Sequence, residues 1–250
     1  MATKPSLAAF TEQLEIEQME QLGNRVVTKS LLYHLADGEQ TTEVGFSTRG
    51  QQVLMGEDPR LPKMPDKPTL MDFFKLRFAP AQQHLLQSAN LAQKNGLSEK
   101  EVLACLLHDI AVAGFIRSDH GYWGAQLIEP YVDEEVSWSV RVHQALRFFP
   151  DESVGYEYPQ AYINMFGADY ELEPYIVDEY ERAKDHKWYM TARMICVNDL
   201  YSFDPDLIVE IDQFEDIIGR HFKQPAEGLG NDNSPASHMW RTLRRPASAL

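Results

Sequence analysis

An all-α helical bundle is the fold class this sequence predicts, and three observations predict it. Apolar residues recur at helical spacing, as in Leu85, Leu86, Ala89 and Ala92. Start and stop chemistry brackets the runs: Gly96 is a helix stop, and Ser98-Glu99-Lys100-Glu101 is a capping box opening the next helix. The run VLACLLHD within that next helix is apolar almost all round, the mark of a helix buried at the centre.

In chain order, Leu7 to Leu35 reads as helix, broken near Gly23. From Ala36 to Leu70 the text changes to DGEQTTEVGFSTRG and GEDPRLPKMPDKP, rich in Gly, Pro and charge. It reads as a short hairpin or irregular arm followed by a wrapping loop, with too few apolar residues for its own core. Residues 1–68 are therefore expected to form an N-terminal helical extension with an irregular arm. Leu70 to Phe78 is a short helix ending before Pro80, and Gln82 to Asn95 is the next. Further helices are expected at 119–132, 134–148, 173–203 with a break near Lys184, and 207–222; Pro174 suits a first helical turn. Residues 69–222 form the helical domain. Residues 223–250 are expected to be an irregular tail, pinned to the body by Trp240 and Leu243.

The 250 residues include 44% hydrophobic side chains, enough to bury a substantial core. A formal net charge of -15 repels phosphate backbones, which argues against nucleic acid as a partner. A small anionic substrate stays open, because local cations or metal ions dominate a pocket. Cys105 and Cys196 sit in apolar runs and read as buried free thiols, not as a disulfide framework. The N-terminus lacks the basic flank and apolar stretch of a signal peptide. No apolar run approaches the roughly 18 residues of a membrane span. The expectation is a soluble, cytoplasmic protein with no membrane partner; its oligomeric state is left open.

The feature that carries chemistry is His108-Asp109, at the end of the buried helix. An imidazole and a carboxylate are costly to bury without partners, and a metal ion supplies one to both. Alone, the pair is a common capping or surface element. Here His84, His120, His143 and Asp199 join it, each on a stretch that otherwise reads as a core-facing helix. One convergent metal site satisfies all of them. His34, His186, His221 and His238 lie in polar or terminal stretches and suit surface or capping roles. Nitrogen and oxygen donors without thiolate suit iron, manganese or zinc. Six donors exceed what one metal takes while still binding substrate, so two metals bridged by Asp109 are expected. Asp119, Asn198 and Gln83 are candidates to orient the imidazoles.

This H…HD…H…H…D order over residues 70 to 205 resembles the HD-domain superfamily. The added His120 and His143 resemble its dinuclear members, and the absence of a His-His pair near position 143 is unlike the cyclic-dinucleotide phosphodiesterases. Ligand order and spacing are similar to the mixed-valence di-iron oxygenases, myo-inositol oxygenase and the phosphonate-cleaving oxygenases. The latter look closest, through the His120 to Leu127 helix, His143 to Arg147, and Arg193 to Leu200. HQALRFFPDE lacks the Thr- and Gly-rich turn of the di-iron phosphohydrolases. The resemblance implies two iron ions as an Fe2+/Fe3+ pair, with O2 and a small hydroxylated substrate, such as a phosphonate, as reactants. It implies Asp109 as the catalytic carboxylate, with Arg147 and Arg193 as contacts for an anionic substrate. Other divalent metals, and a phosphohydrolase acting on a nucleotide or phosphoester, are the alternative. The chain departs from these oxygenases at Val112, where they place a basic or polar contact, and in DFFKLRF, which lacks their Glu and Tyr. The core chemistry is thus expected to carry over without the substrate. A competing reading pairs Arg147 with Asp151 or Glu152. Tyr162, Asn164 and Tyr170 are expected to close the pocket.

Overall fold

The computed structural model of the protein describes residues 62–78, 82–113, 119–167 and 169–244. The expected helix at 7–35 and the hairpin arm lie outside them. Two compact units divide the chain. One comprises Met1–Pro65 with His238–Leu250, and the other Asp66–Ser237. Among the described residues the fold is all-α: no strand forms, and an isolated bridge joins Asp151 to Tyr156.

The second unit holds α1 (Leu70–Leu76), α2 (Gln82–Lys94), α3 (Glu99–Leu107), the single turn α4 (Ile110–Ala113), α5 (His120–Ile128) and α6 (Glu134–Leu146). These are followed by α7 (Gln160–Phe166), α8 (Pro174–Ala183), α9 (Tyr189–Leu200) and α10 (Glu215–His221). Ser98 accepts from the Glu101 N–H while the Glu101 carboxylate accepts from the Ser98 N–H, so the predicted capping box opens α3. Thr69 and Asp72 close an equivalent box on α1. The centre of the unit is α3, α6 and α9, with α2 against α3 and α9, and α5 against α6. Leu85, Leu86, Leu103, Leu106, Val136, Val140, Leu146 and Ile195 are fully buried there. Each such side chain contributes about 1.5–3 kcal/mol by leaving water.

Several element boundaries differ from the expectation, each for a local reason. Helix α5 stops at Ile128 because Pro130, which lacks an N–H, follows at once. The expected 173–203 helix is two, α8 and α9, separated over 184–188. The segment at 207–210 is not helical. The Gln83 amide clamps Val209 on both its N–H and C=O, at 3.0 and 2.9 Å. Gln87 does the same for Asp204, and its Nε2 also donates to the Leu207 carbonyl. Side-chain amides thus satisfy backbone groups that a helix would otherwise pair.

The stretch after His143 is more ordered than an aromatic loop, with a 3-10 turn at Glu152–Val154 and the helix α7. The expected tail is also corrected. Residues 223–237 belong to the helical unit: the Lys223 N–H donates to the Tyr131 carbonyl, Leu229 N–H to that of Pro68, and the Tyr131 hydroxyl meets Asp232 and Ser234. Gly228 permits this course, since its φ is +89° and a Cβ would lie 2.5 Å from the Lys67 Cα. Ser237–Arg244 forms a helix, α11, where irregular chain was expected. No helix among the described residues is long and apolar enough to cross a membrane.

Candidate metal centre

The six predicted ligands converge. His84 comes from α2, His108 and Asp109 from the end of α3, His120 from the first turn of α5, His143 from α6 and Asp199 from α9. His108 and His143 are completely buried, and His120 and Asp199 nearly so. The Nε2 atoms of His84 and His108 are 3.2 Å apart, as are those of His120 and His143. Asp199 Oδ1 lies 3.0 Å from His84 Nε2 and 3.6 Å from His108 Nε2. Asp109 faces both halves: its Oδ1 is 3.1 Å from His120 Nε2 and 3.6 Å from His143 Nε2, and its Oδ2 is 3.6 Å from His84 Nε2.

The outer ring nitrogens explain why Nε2 points inward. His108 Nδ1–H donates to the Cys105 carbonyl at 2.7 Å, and His143 Nδ1–H to that of Val140 at 2.6 Å. Each acceptor lies three residues back along the same helix. His84 Nδ1 lies 2.8 Å from Ser202 Oγ, whose own proton goes to the Asp199 carbonyl at 2.6 Å. The Ser202 hydroxyl therefore accepts from His84. In all three rings Nδ1 carries the proton and Nε2 offers its lone pair to the centre, the arrangement of metal-ligating histidines.

Inward lone pairs 3.2 Å apart repel unless a cation lies between them. When no metal is bound, a proton can serve one pair. Burial disfavours charge on His84, but the Asp109 and Asp199 carboxylates outweigh it and push its pKa up to about 10. Burial also opposes ionisation of Asp109 and Asp199, yet the surrounding imidazoles, with Arg147 beside Asp199, hold both well below the carboxylate range. Burial pushes His143 down. Asp109 Oδ1 is the sharpest test of fit. It is shut off from water and accepts no hydrogen bond, although imidazole nitrogens surround it. A buried carboxylate oxygen left in this state costs about 1–3 kcal/mol or more. A metal ion satisfies it. His84, His108 and Asp199 form one set with ligand atoms close enough for one ion, and His108, Asp109 and His143 form another.

The remaining sequence candidates separate. Arg147 enters the site: its Nη1 is 3.3 Å from His120 Nε2 and its Nε is 3.6 Å from Asp199 Oδ2. Its Nε also donates to the Tyr162 hydroxyl, with the guanidinium 5.0 Å from the Tyr162 ring centroid. Arg147 therefore pairs with Asp199, and not with Asp151 or Glu152. Arg193 does not enter the site. It is fully buried, and its guanidinium donates to the Leu146 and Phe149 carbonyls at 2.9 and 3.0 Å and to the Tyr189 hydroxyl. Asp151 lies 3.4 Å away. Arg193 thus closes the C-terminal end of α6, where carbonyls lack helical partners, and has no face for a substrate.

Asp119, Asn198 and Gln83 orient no imidazole. Asp119 accepts from Tyr175, Asn198 donates to the Met194 carbonyl, and Gln83 clamps Val209. Tyr162 is buried beside the cluster, whereas Asn164 and Tyr170 bond to Gln160 and Glu173. His186 stacks on Trp138 and His221 pairs with Glu99, both apart from the ligands. His34 and residues 114–118 lie outside the described residues. Sequence reasoning missed Ser202, which orients His84, and Phe203, whose ring stacks on His84 at 4.2 Å. Both follow Asp199 within a few residues, and that closeness was the only signal. No family model matches the chain, and a search of curated proteins finds no match.

Proposed function

We propose that this chain is a dinuclear iron oxygenase acting on a small hydroxylated substrate with an anionic end. One observation carries the reading: four imidazoles and two carboxylates, with no thiolate, converge from five helices on one buried point. Six donors suit two ions. His84, His108 and Asp199 would hold one, and His120 and His143 the other. Asp109, with an oxygen toward each half, would be shared. Four neutral nitrogen donors beside two carboxylates suit iron among the candidate metals. Bound iron supplies the one-electron chemistry by which O2 oxidises an organic molecule.

The chain's own residues supply the rest. Arg147 presents a permanent positive charge beside Asp199 and His120, and would anchor a carboxylate, phosphate or phosphonate. Tyr162 accepts from the same Arg147 Nε that faces Asp199 and so helps hold the guanidinium in place. Ser202 and the carbonyls of Cys105 and Val140 fix the orientations of His84, His108 and His143, so these three rings do not have to turn when the site fills. Phe203 covers one face of His84.

Iron analysis and EPR of anaerobically purified, partly reduced protein test the metal. The expected result is two irons per chain and the signal of a coupled mixed-valence pair. Full activity in iron-free protein overturns the reading. The same Arg147 anion contact suits a metal-dependent phosphohydrolase acting on a nucleotide or phosphoester. Phosphate release without oxygen would select that alternative, and O2 uptake with substrate would select the oxygenase.

A further inference from the structure

Away from the metal ligands, a cavity of about 350 Å3 opens between α5, α6 and α8. None of the six ligands, nor Arg147, lines it. Its size lies in the range of small-molecule sites, about 300–1,000 Å3. Tyr122, Trp123 and Tyr175 stand in its wall, exposed at 45%, 42% and 51%. Single exposed aromatic residues are ordinary, but three converging on one concavity are not. The Tyr122 and Trp123 rings meet edge to face, with centroids 5.3 Å apart and planes at 84°, so they cover each other's faces poorly. The Arg141 guanidinium lies over the Tyr122 ring, 5.9 Å from its centroid, so the half-exposed Trp123 indole is the ring offered to a ligand.

The polar groups around those rings are not balanced between donors and acceptors. Of the two carboxylates, Glu179 faces Arg141 Nε at 3.3 Å, and Asp119 Oδ1 accepts from the Tyr175 hydroxyl at 2.8 Å. Gln144 uses its oxygen on the Gly121 N–H at 3.1 Å, which leaves its amide N–H groups facing the cavity side. Arg182 also lines the cavity and forms no ion pair with another described residue. Each carboxylate thus already faces a donor within the cavity wall, whereas Arg182 faces no carboxylate among the described residues, so Arg182 is the charged group left to recruit a partner from a ligand.

We infer that this cavity binds a planar aromatic anion. The ring lies against Trp123, and the anionic group meets Arg182 and the Gln144 amide. The site shares no lining residue with the candidate metal centre.

The test uses metal-loaded full-length protein and two probes of one shape, 2-naphthoate and its neutral isostere 2-naphthamide. Titration calorimetry reads affinity, and the indole N–H signal of Trp123, assigned with Trp123→Phe, reads location. The expected result is one naphthoate per chain, a shift of the Trp123 signal, and at least tenfold weaker binding in both Trp123→Ala and Arg182→Gln. Both substituted side chains are exposed, and thermal melting and iron content check that the variants remain folded. Naphthamide is expected to bind at least tenfold more weakly than naphthoate. Absence of heat, a Trp123 signal that does not move, or undiminished binding in both variants overturns the site. Equal affinity for the amide overturns the assignment of an anion.

Discussion

His120 and His143 face each other across 3.2 Å, Nε2 to Nε2, and the backbone of α5 sets that distance by lying directly on α6. Gly121 makes the approach possible. A Cβ there would stand 2.8 Å from the Arg141 carbonyl and 2.9 Å from that of Val140, the same carbonyl that orients His143.

Gly121→Ala is therefore expected to push α5 off α6 and disturb His120 and His143 together. Overpacking of this kind costs about 1–3 kcal/mol. Gly124→Ala, one turn on, is the control. Its Cβ would meet its neighbours at 3.5 Å or more, and Ala is favoured over Gly in a helix by about 0.5–1 kcal/mol. Urea unfolding should rank the proteins Gly124→Ala, wild type, Gly121→Ala, with the proposed metal reduced only in the last.

Ser202→Ala removes the hydroxyl that holds His84 Nδ1–H. Losing such an orienting partner lowers metal affinity about 10–100-fold. The effect here should fall near tenfold, because the Ser202 carbonyl, 3.2 Å from Nδ1, remains as a substitute acceptor. A chelator competition titration measures it, and unchanged affinity would show that Ser202 is not the anchor.

On the proposed reading, stripping the metal should destabilise the whole helical unit, since the six side chains that would hold it come from five of its helices. A ligand present at a thousandfold its Kd stabilises by about 4 kcal/mol. For a chain of this length each kcal/mol moves Tm by about 2–4 °C, so chelation is expected to lower Tm by roughly 10 °C. Calorimetry before and after chelation and reloading checks it.

Asp151 should make the fold acid-sensitive. Burial opposes its ionisation, but Ser153, Tyr189 and Arg193 outweigh burial and hold its pKa below the ordinary value. A carboxyl depressed on folding contributes stability that is fully present above the unfolded value, about 3.9, and is lost as pH falls through the folded one. Asp151→Asn is expected to lower stability at pH 7 and to narrow its gap to wild type as pH falls below about 4. Urea unfolding across that range measures both.

Much of the bundle was legible before any coordinates, and so was the group of six polar side chains that converge. Helical spacing, the Ser98 box and the Gly96 stop are local chemistry, and α2 ends and α3 begins where that chemistry puts them. His84, His108, Asp109, His120, His143 and Asp199 stood out because an imidazole or carboxylate on an apolar helix face needs a partner, and sequence shows both the group and the face. The fates of the arginines were not legible. Arg147 and Arg193 look alike in sequence, yet one reaches the ligands and the other seals the end of α6, a difference set by which way α9 lies across α6. Ser202 and the glutamine clamps on 204–209 were hidden for the same reason, because their partners are 117 or more residues away in the chain. The sequence by itself determined that this chain makes helices and which polar groups they must bury together. Only the tertiary structure decided which neighbours orient those groups, because a hydrogen bond depends on positions in space and local propensity carries no information about distant chain.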